Sequence, residues 1–177
     1  HYLEEKLDMH HASASFNSRT RLQQKGNADT QLIWISHKDF DQSPQAFATI
    51  DRWMTSIKQN PNRSVAQNKP ADIADMCTDK DGATIAKGDT VWDGKWNKKA
   101  EGSCAQTYPI YTNSRIQAGD SWAASTFKCQ RQSVAQAIEK GLYGDQDMSQ
   151  LKPALEQIFT TGVCDYDAPD AGRPAGI

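Results

Sequence analysis

No stretch of this sequence approaches the ~18 apolar residues of a membrane span. No run of like charges is long enough for an acidic or basic tail. Lysine and arginine number 20 against 22 aspartate and glutamate, a net charge of −2 without the clustered positive charge of a nucleic-acid footprint. No C-x-x-C pair is present, which argues against a zinc ribbon or a thioredoxin-like redox motif. A P-loop, a G-x-G-x-x-G turn and an H-E-x-x-H helix are all missing, so no motif implies a cofactor or a metal. G-x-S-x-G is missing too, and with it any recognisable nucleophile elbow. Internal repeats and low-complexity tracts are absent.

What remains is a chain of 177 residues, enough for one domain and short for two. Its hydrophobic share is 37%, below the ~45–50% usual for a globular domain. The core is therefore small or completed by something else. Four cysteines, Cys77, Cys104, Cys129 and Cys164, stand in loop-rich sequence. An even count of this kind reads as two disulfides in an oxidising compartment, secreted or periplasmic. Three pairings are possible, and Cys77–Cys104 with Cys129–Cys164 closes the shortest loops. The first residue is His1, so the expectation is a mature, trimmed or cut chain.

Residues 1–60 read as α/β architecture. A helix over 12–24 carries Phe16 and Leu22 and stops at Gly26-Asn27. The run Gln31-Leu32-Ile33-Trp34-Ile35 is a short apolar stretch suited to a buried strand of a parallel sheet. Nothing else in residues 1–60 can flank it with several parallel partners, so the isolated chain is expected to expose that edge and aggregate. Next, Ser43 offers an N-cap and Pro44 a first-turn residue. Phe47, Ile50, Trp53, Met54 and Ile57 follow at helical spacing, and Asn60-Pro61-Asn62 ends the helix.

Residues 61–177 read as a Cys-containing, loop-rich extension packing on that core. Cys77 to Ile85 predicts a hairpin turning at Asp81-Gly82. Residues 86–128 read as disulfide-tied loop with short strands. Ser133 to Lys140 predicts a short helix closed by Gly141. Ser149 offers the cap of another, carrying Leu151, Leu155, Ile158 and Phe159. Asp79-Lys80-Asp81-Gly82 looks like a calcium loop only superficially, because Thr84 and Thr90 occupy the positions that need Gly and Glu. Asn62-Arg63-Ser64 is a glycosylation sequon, a pattern too common to carry weight.

Three groups of residues carry candidate chemistry. His37 follows the predicted strand directly and precedes a helix, where open α/β sheets collect function, and a histidine there can serve as general base. The plainer alternative is an exposed loop histidine. Asp8 and His10, in Asp8-Met9-His10-His11, could be two members of a triad, or a metal pair that would need further ligands. The competing reading of Asp8 is a carboxylate at the start of the next helix. Trp92, Trp96 and Trp122 are candidates for a substrate wall or contact surface, against the ordinary alternative that they fill the core.

The segment Ala48-Thr49-Ile50-Asp51-Arg52-Trp53 resembles the closing helix of tannase and feruloyl-esterase relatives. Five further groups of residues match in order: Asp8-Met9-His10, Arg19-Thr20-Arg21-Leu22, Asn68-Lys69-Pro70-Ala71-Asp72, Tyr108-Pro109-Ile110-Tyr111 and Phe127-Lys128-Cys129-Gln130. Thr161-Gly162-Val163-Cys164-Asp165-Tyr166 closes the series. Together these resemble a family of secreted bacterial α/β-hydrolase-like proteins of unknown function, distantly tannase-like. The resemblance implies the C-terminal part of an α/β-hydrolase sheet, its last strand and flanking helices, followed by an irregular disulfide-stapled α+β extension. It implies a Ser-His-Asp triad whose Ser lies on an upstream chain or segment, with a small-molecule or polymeric ester or amide as substrate. Asp8 would be the acid, with Glu4 and Glu5 as further candidates, and His37 or His10 the base. Tannase-like enzymes place a disulfide-bonded Cys beside that His; here Lys38 follows His37. The alternative is a non-catalytic extracellular binding or assembly module.

Overall fold

A computed structural model describes residues 1–3, 11–94, 100–143 and 145–176. It is a mixed helix-and-strand structure with two small sheets and two disulfides. Two compact units divide the chain, His1–Thr112 and Asn113–Ile177.

In the first unit, helix α1 (Ser13–Gln24) buries Phe16 and ends where Gly26 turns at φ +69°. Strand β1 (Trp34–Ser36) is shorter than the apolar run suggested and lies later in it. Helix α2 (Ser43–Gln59) follows, then β2 (Met76–Thr78), which pairs parallel to β1, and β3 (Thr84–Lys87), antiparallel to β2. A short helix α3 (Ser103–Thr107) completes the unit. The strand β1 therefore does find a neighbour, contributed from beyond residue 60, and the sheet spans that position. On its other side the Tyr2 N–H donates to the Ser36 carbonyl at 2.8 Å.

The core gathers where sheet, α1 and α3 meet. Ile33, Ile35, Cys77, Cys104 and Ala105 are buried, and the Cys77–Cys104 disulfide ties β2 to α3 across a Cα separation of 5.7 Å. The sequential pairing is the one present. Trp92 sits edge-on to Phe16 at 5.5 Å between centroids and donates its indole N–H to the Ile33 carbonyl. A charged cross-link enters this core from α1. The Arg19 guanidinium grips both Asp75 oxygens, at 3.0 and 2.9 Å, while Asp75 Oδ1 also accepts the Ile33 N–H at 2.8 Å. A planar fork meeting a carboxylate is the strong geometry for such a pair.

Helix α2 departs from expectation on two counts. Asp41, not Ser43, satisfies its first turn: Asp41 Oδ1 accepts the Ser43 N–H at 2.9 Å, and the Ser43 contacts hold the Asp41 carboxyl below its ordinary value. The apolar residues from Trp53 round to Phe47 cover an arc of about 120° at ~100° per residue. Only part of that arc is buried. Trp53 is covered, its N–H donating to the Val65 carbonyl at 2.8 Å. Phe47, Ile50 and Met54 are exposed, Phe47 at 73%. The loop after α2 wraps the Trp53 side and is organised by buried Asn68, whose amide donates to the carbonyls of Asn60, Arg63 and Ser64.

The β2–β3 hairpin turns as its residues predict. Asp79 Oδ1 accepts the N–H groups of Asp81 and Ala83, both at 2.9 Å, and Gly82 adopts φ +83°. A Cβ at Gly82 would lie 2.4 Å from the Phe40 ring. We expect Gly82→Ala to cost about 1–2 kcal/mol for the left-handed backbone and to displace Phe40; urea unfolding measures the first, the Phe40 ring resonances the second.

In the second unit, α4 (Ser114–Gln117) is capped by Asn113, and β4 (Gln130–Gln132) pairs antiparallel with β5 (Val163–Asp165). The Cys129–Cys164 disulfide crosses beside that ladder. Helix α5 (Val134–Glu139) carries a complete capping box between Ser133 and Gln136, as S-x-x-Q sequence requires. Helix α6 (Lys152–Ile158) begins later than a Ser149 cap would place it, and Leu151, Ile158 and Phe159 are exposed. Between residues 88 and 129 the described residues form two short helices instead of short strands. The C-terminal segment is clasped by Asp170, which accepts the N–H groups of Phe127, Lys128 and Gly172; those bonds lower its pKa. No helix among the described residues is long and apolar enough to cross a membrane.

Candidate active site at the end of strand β1

The site is built on the turn that leaves β1. Ser36 ends the strand, buried, with its hydroxyl donating to the Phe40 carbonyl at 3.0 Å. The Phe40 N–H returns to the His37 carbonyl at 3.1 Å, closing a tight turn over 37–40. Below it, the Thr78 carbonyl at the end of β2 accepts two bonds, from the His37 N–H at 3.2 Å and from the Tyr108 hydroxyl at 2.7 Å. The Tyr108 ring lies 4.9 Å from that of Tyr2, whose hydroxyl donates to the Pro109 carbonyl. Sheet and aromatic pair together hold the His37 backbone at the carboxyl end of a parallel strand pair.

The His37 side chain is 33% exposed, open to a reactant yet packed on its turn. Its Nδ1 accepts the Asp39 backbone N–H at 3.2 Å and lies 3.6 Å from Asp39 Oδ2. Lys38 Nζ approaches the same carboxylate at 3.5 Å. His1 Nδ1 lies 3.1 Å from the Lys38 carbonyl, and its Nε2 is 3.9 Å from Asp41. Two carboxylates and two imidazoles thus cluster around one turn. Asp39 and Asp41 are the functional candidates that sequence reasoning passed over. Their signal was present: polar Ser36-His37-Lys38-Asp39 ends the strand abruptly, and carboxylates two and four residues past His37 lie within reach of any turn.

The other expected residues fall elsewhere. Asp8 and His10 lie outside the described residues, as do Glu4, Glu5 and Trp96. His11, last of that cluster, is half-buried with its Nδ1 unbonded among the described residues. Trp92 is a core residue, 5% exposed. Trp122 is half-buried in the second unit. Among the described residues, no three His, Cys, Asp or Glu side chains converge as metal ligands would.

Residues 1–175 match the tannase-like family of unknown function (DUF6351). The chain belongs to that family. No curated protein and no solved structure matches it. For this tannase-like chain the family relation points toward hydrolases.

Proposed function

We propose that this tannase-like chain is the C-terminal part of a secreted or periplasmic serine hydrolase acting on an ester or amide. The nucleophilic Ser comes from an upstream polypeptide. The Ser attacks the carbonyl, a histidine takes its proton and delivers it to the departing alcohol or amine, water then displaces the acyl group from the Ser, and a carboxylate orients the imidazole and stabilises its cationic form. Asp8, His10 and His37 are the residues of this chain assigned to that work. The observation that carries the reading is His37: a partly exposed imidazole locked to the carboxyl end of a parallel strand, in a chain of tannase-like family. The two disulfides and the absence of a membrane-crossing helix among the described residues fit an extracellular setting.

The bare half of the α2 arc supports a companion. Phe47, Ile50 and Met54 are apolar surface that costs about 25 cal/mol per Å² to leave in water, and covering them is work for the polypeptide that brings the Ser. Against the binding-module alternative, burial of Trp92 removes one of its expected contact aromatics.

The test is a native mass followed by turnover of a model ester. A native mass above the chain's 19.6 kDa, resolving into this chain and a Ser-bearing partner, is the expected result. With that complex, His37→Ala or His10→Ala should lower turnover at least about a hundredfold, the range for a general base. A complex whose turnover neither substitution changes would defeat the assignment.

A further inference from the structure

We infer that the Asp39 backbone N–H fixes His37 as the tautomer protonated at Nε2, so that His37 presents a hydrogen-bond donor and not a proton acceptor beyond β1. A backbone N–H can only donate, and the atom it meets at 3.2 Å is His37 Nδ1. That nitrogen must therefore offer its lone pair, and the proton of the neutral ring sits on Nε2. A general base in a Ser triad needs the reverse: Nδ1–H donating to a carboxylate and Nε2 free to receive the Ser proton.

The arrangement is built into the backbone. The His37 N–H is spent on Thr78, its carbonyl on Phe40, and Phe40 is held by Ser36 and by the close approach to Gly82. With 37 and 40 pinned, the Asp39 N–H keeps its aim at the imidazole. The Asp39 carboxylate, at 3.6 Å, meets Nδ1 only when that atom also carries a proton. Asp39 is thus a positioning residue, acting through its peptide N–H while the ring is neutral. Of the remaining polar neighbours, Lys38 meets the Asp39 carboxylate and His1 lies between the Lys38 carbonyl and Asp41.

A neutral imidazole offering Nε2–H suits one task in acyl transfer: donating to the oxyanion that develops as the carbonyl is attacked. This role rests on the hydrolase reading above; the tautomer does not. Within that reading the base becomes His10, and His37 stabilises charge without exchanging its proton.

Two measurements decide it. In the first, the full chain, labelled with ¹⁵N, is examined by NMR at about pH 8.5, two units above the ordinary imidazole value of about 6.5. The expected result is a protonated His37 Nε2 and a coupling through the hydrogen bond between the Asp39 amide nitrogen and His37 Nδ1. The coupling should persist in Asp39→Asn, which keeps the N–H, and vanish in Asp39→Pro, which lacks it. A protonated Nδ1, or no coupling in the unsubstituted protein, overturns the inference even if the proline variant fails to fold. The second measurement is turnover with the Ser-bearing companion. His37→Gln keeps an N–H near the Nε2 position and should retain at least tenfold more activity than His37→Ala. Equal losses would overturn the oxyanion role. A preparation with the coupling but no hydrolysis would sink the hydrolase reading alone.

Discussion

Replacing Asp75 by alanine should lower the unfolding free energy by about 3 kcal/mol, near the low end for breaking a buried ion pair from one side. The low end applies because the two partners are unequally covered. Asp75 is 8% exposed and Arg19 21%, so water recovers part of the guanidinium's hydration once the carboxylate is gone. Loss of the carboxylate also strands the Ile33 N–H, which donates to Asp75 Oδ1 at the entry of β1; a buried donor left unpaired costs about 1–3 kcal/mol. Arg19→Ala should cost less than Asp75→Ala, because Asp75 would keep the Ile33 N–H. Denaturant unfolding of the two variants gives the comparison, and an Arg19 variant more damaging than the Asp75 variant would contradict this account of the pair. The double variant Arg19→Met/Asp75→Leu should recover part of the loss, since it removes both charges together.

Removing the Cys77–Cys104 disulfide by a double alanine substitution should cost about 3.5 kcal/mol if chain entropy governs. The loop it closes spans 27 residues of separation, and both sulfurs are fully buried between β2 and α3. Cavity effects add to this figure, because the half-cystines are among the most enclosed side chains in the unit. The Cys129–Cys164 bond closes a slightly longer loop, 35 residues, but its cysteines are only half-buried beside a two-stranded ladder. Its entropic part should be as large, with little added by packing. Unfolding of each double variant separates the two: a second-unit disulfide worth clearly more than the first would contradict the burial argument.

Much of the local structure was legible in the residues. The hairpin turn at Asp79–Ala83 follows from a carboxylate that can bond two N–H groups ahead of it and a glycine that can take φ +83°. The α5 cap follows from Ser133 and Gln136, and the stop of α1 from Gly26. These are contacts between residues a few positions apart, so the sequence holds both partners in one window. The caps of α2 and α6 were misread for the same local reason in reverse. Ser43 and Ser149 are good capping residues, but Asp41 takes the Ser43 N–H at the start of α2, and α6 begins only at Lys152.

The candidate site was half legible. His37 was found because a polar residue after an apolar run marks the end of a strand. Asp39 was not, because a carboxylate two residues on looks like ordinary turn sequence until the ring is seen folded back over its N–H. Likewise Trp92 looked available for binding, since nothing near it in sequence reveals the Phe16 ring and Ile33 carbonyl that enclose it.

By itself the sequence favoured the sequential disulfide pairing among three possible ones and pointed to the turns, to a strand just before His37 and to the tannase-like family to which the chain belongs. Only the tertiary structure decided that β1 pairs with residues 76–78, that Asp75 is the buried partner of Arg19, and that half of the α2 apolar arc stays bare. It alone assigned the His37 ring an N–H donor at Nδ1. The division has a physical cause. Capping and turn geometry are decided by neighbours along the chain, and so is the Asp39 N–H that meets the His37 ring, whereas burial and ion pairing depend on residues distant in sequence, such as Arg19 and Asp75, 56 positions apart, and the turn that aims the imidazole is pinned to the Thr78 carbonyl of another strand.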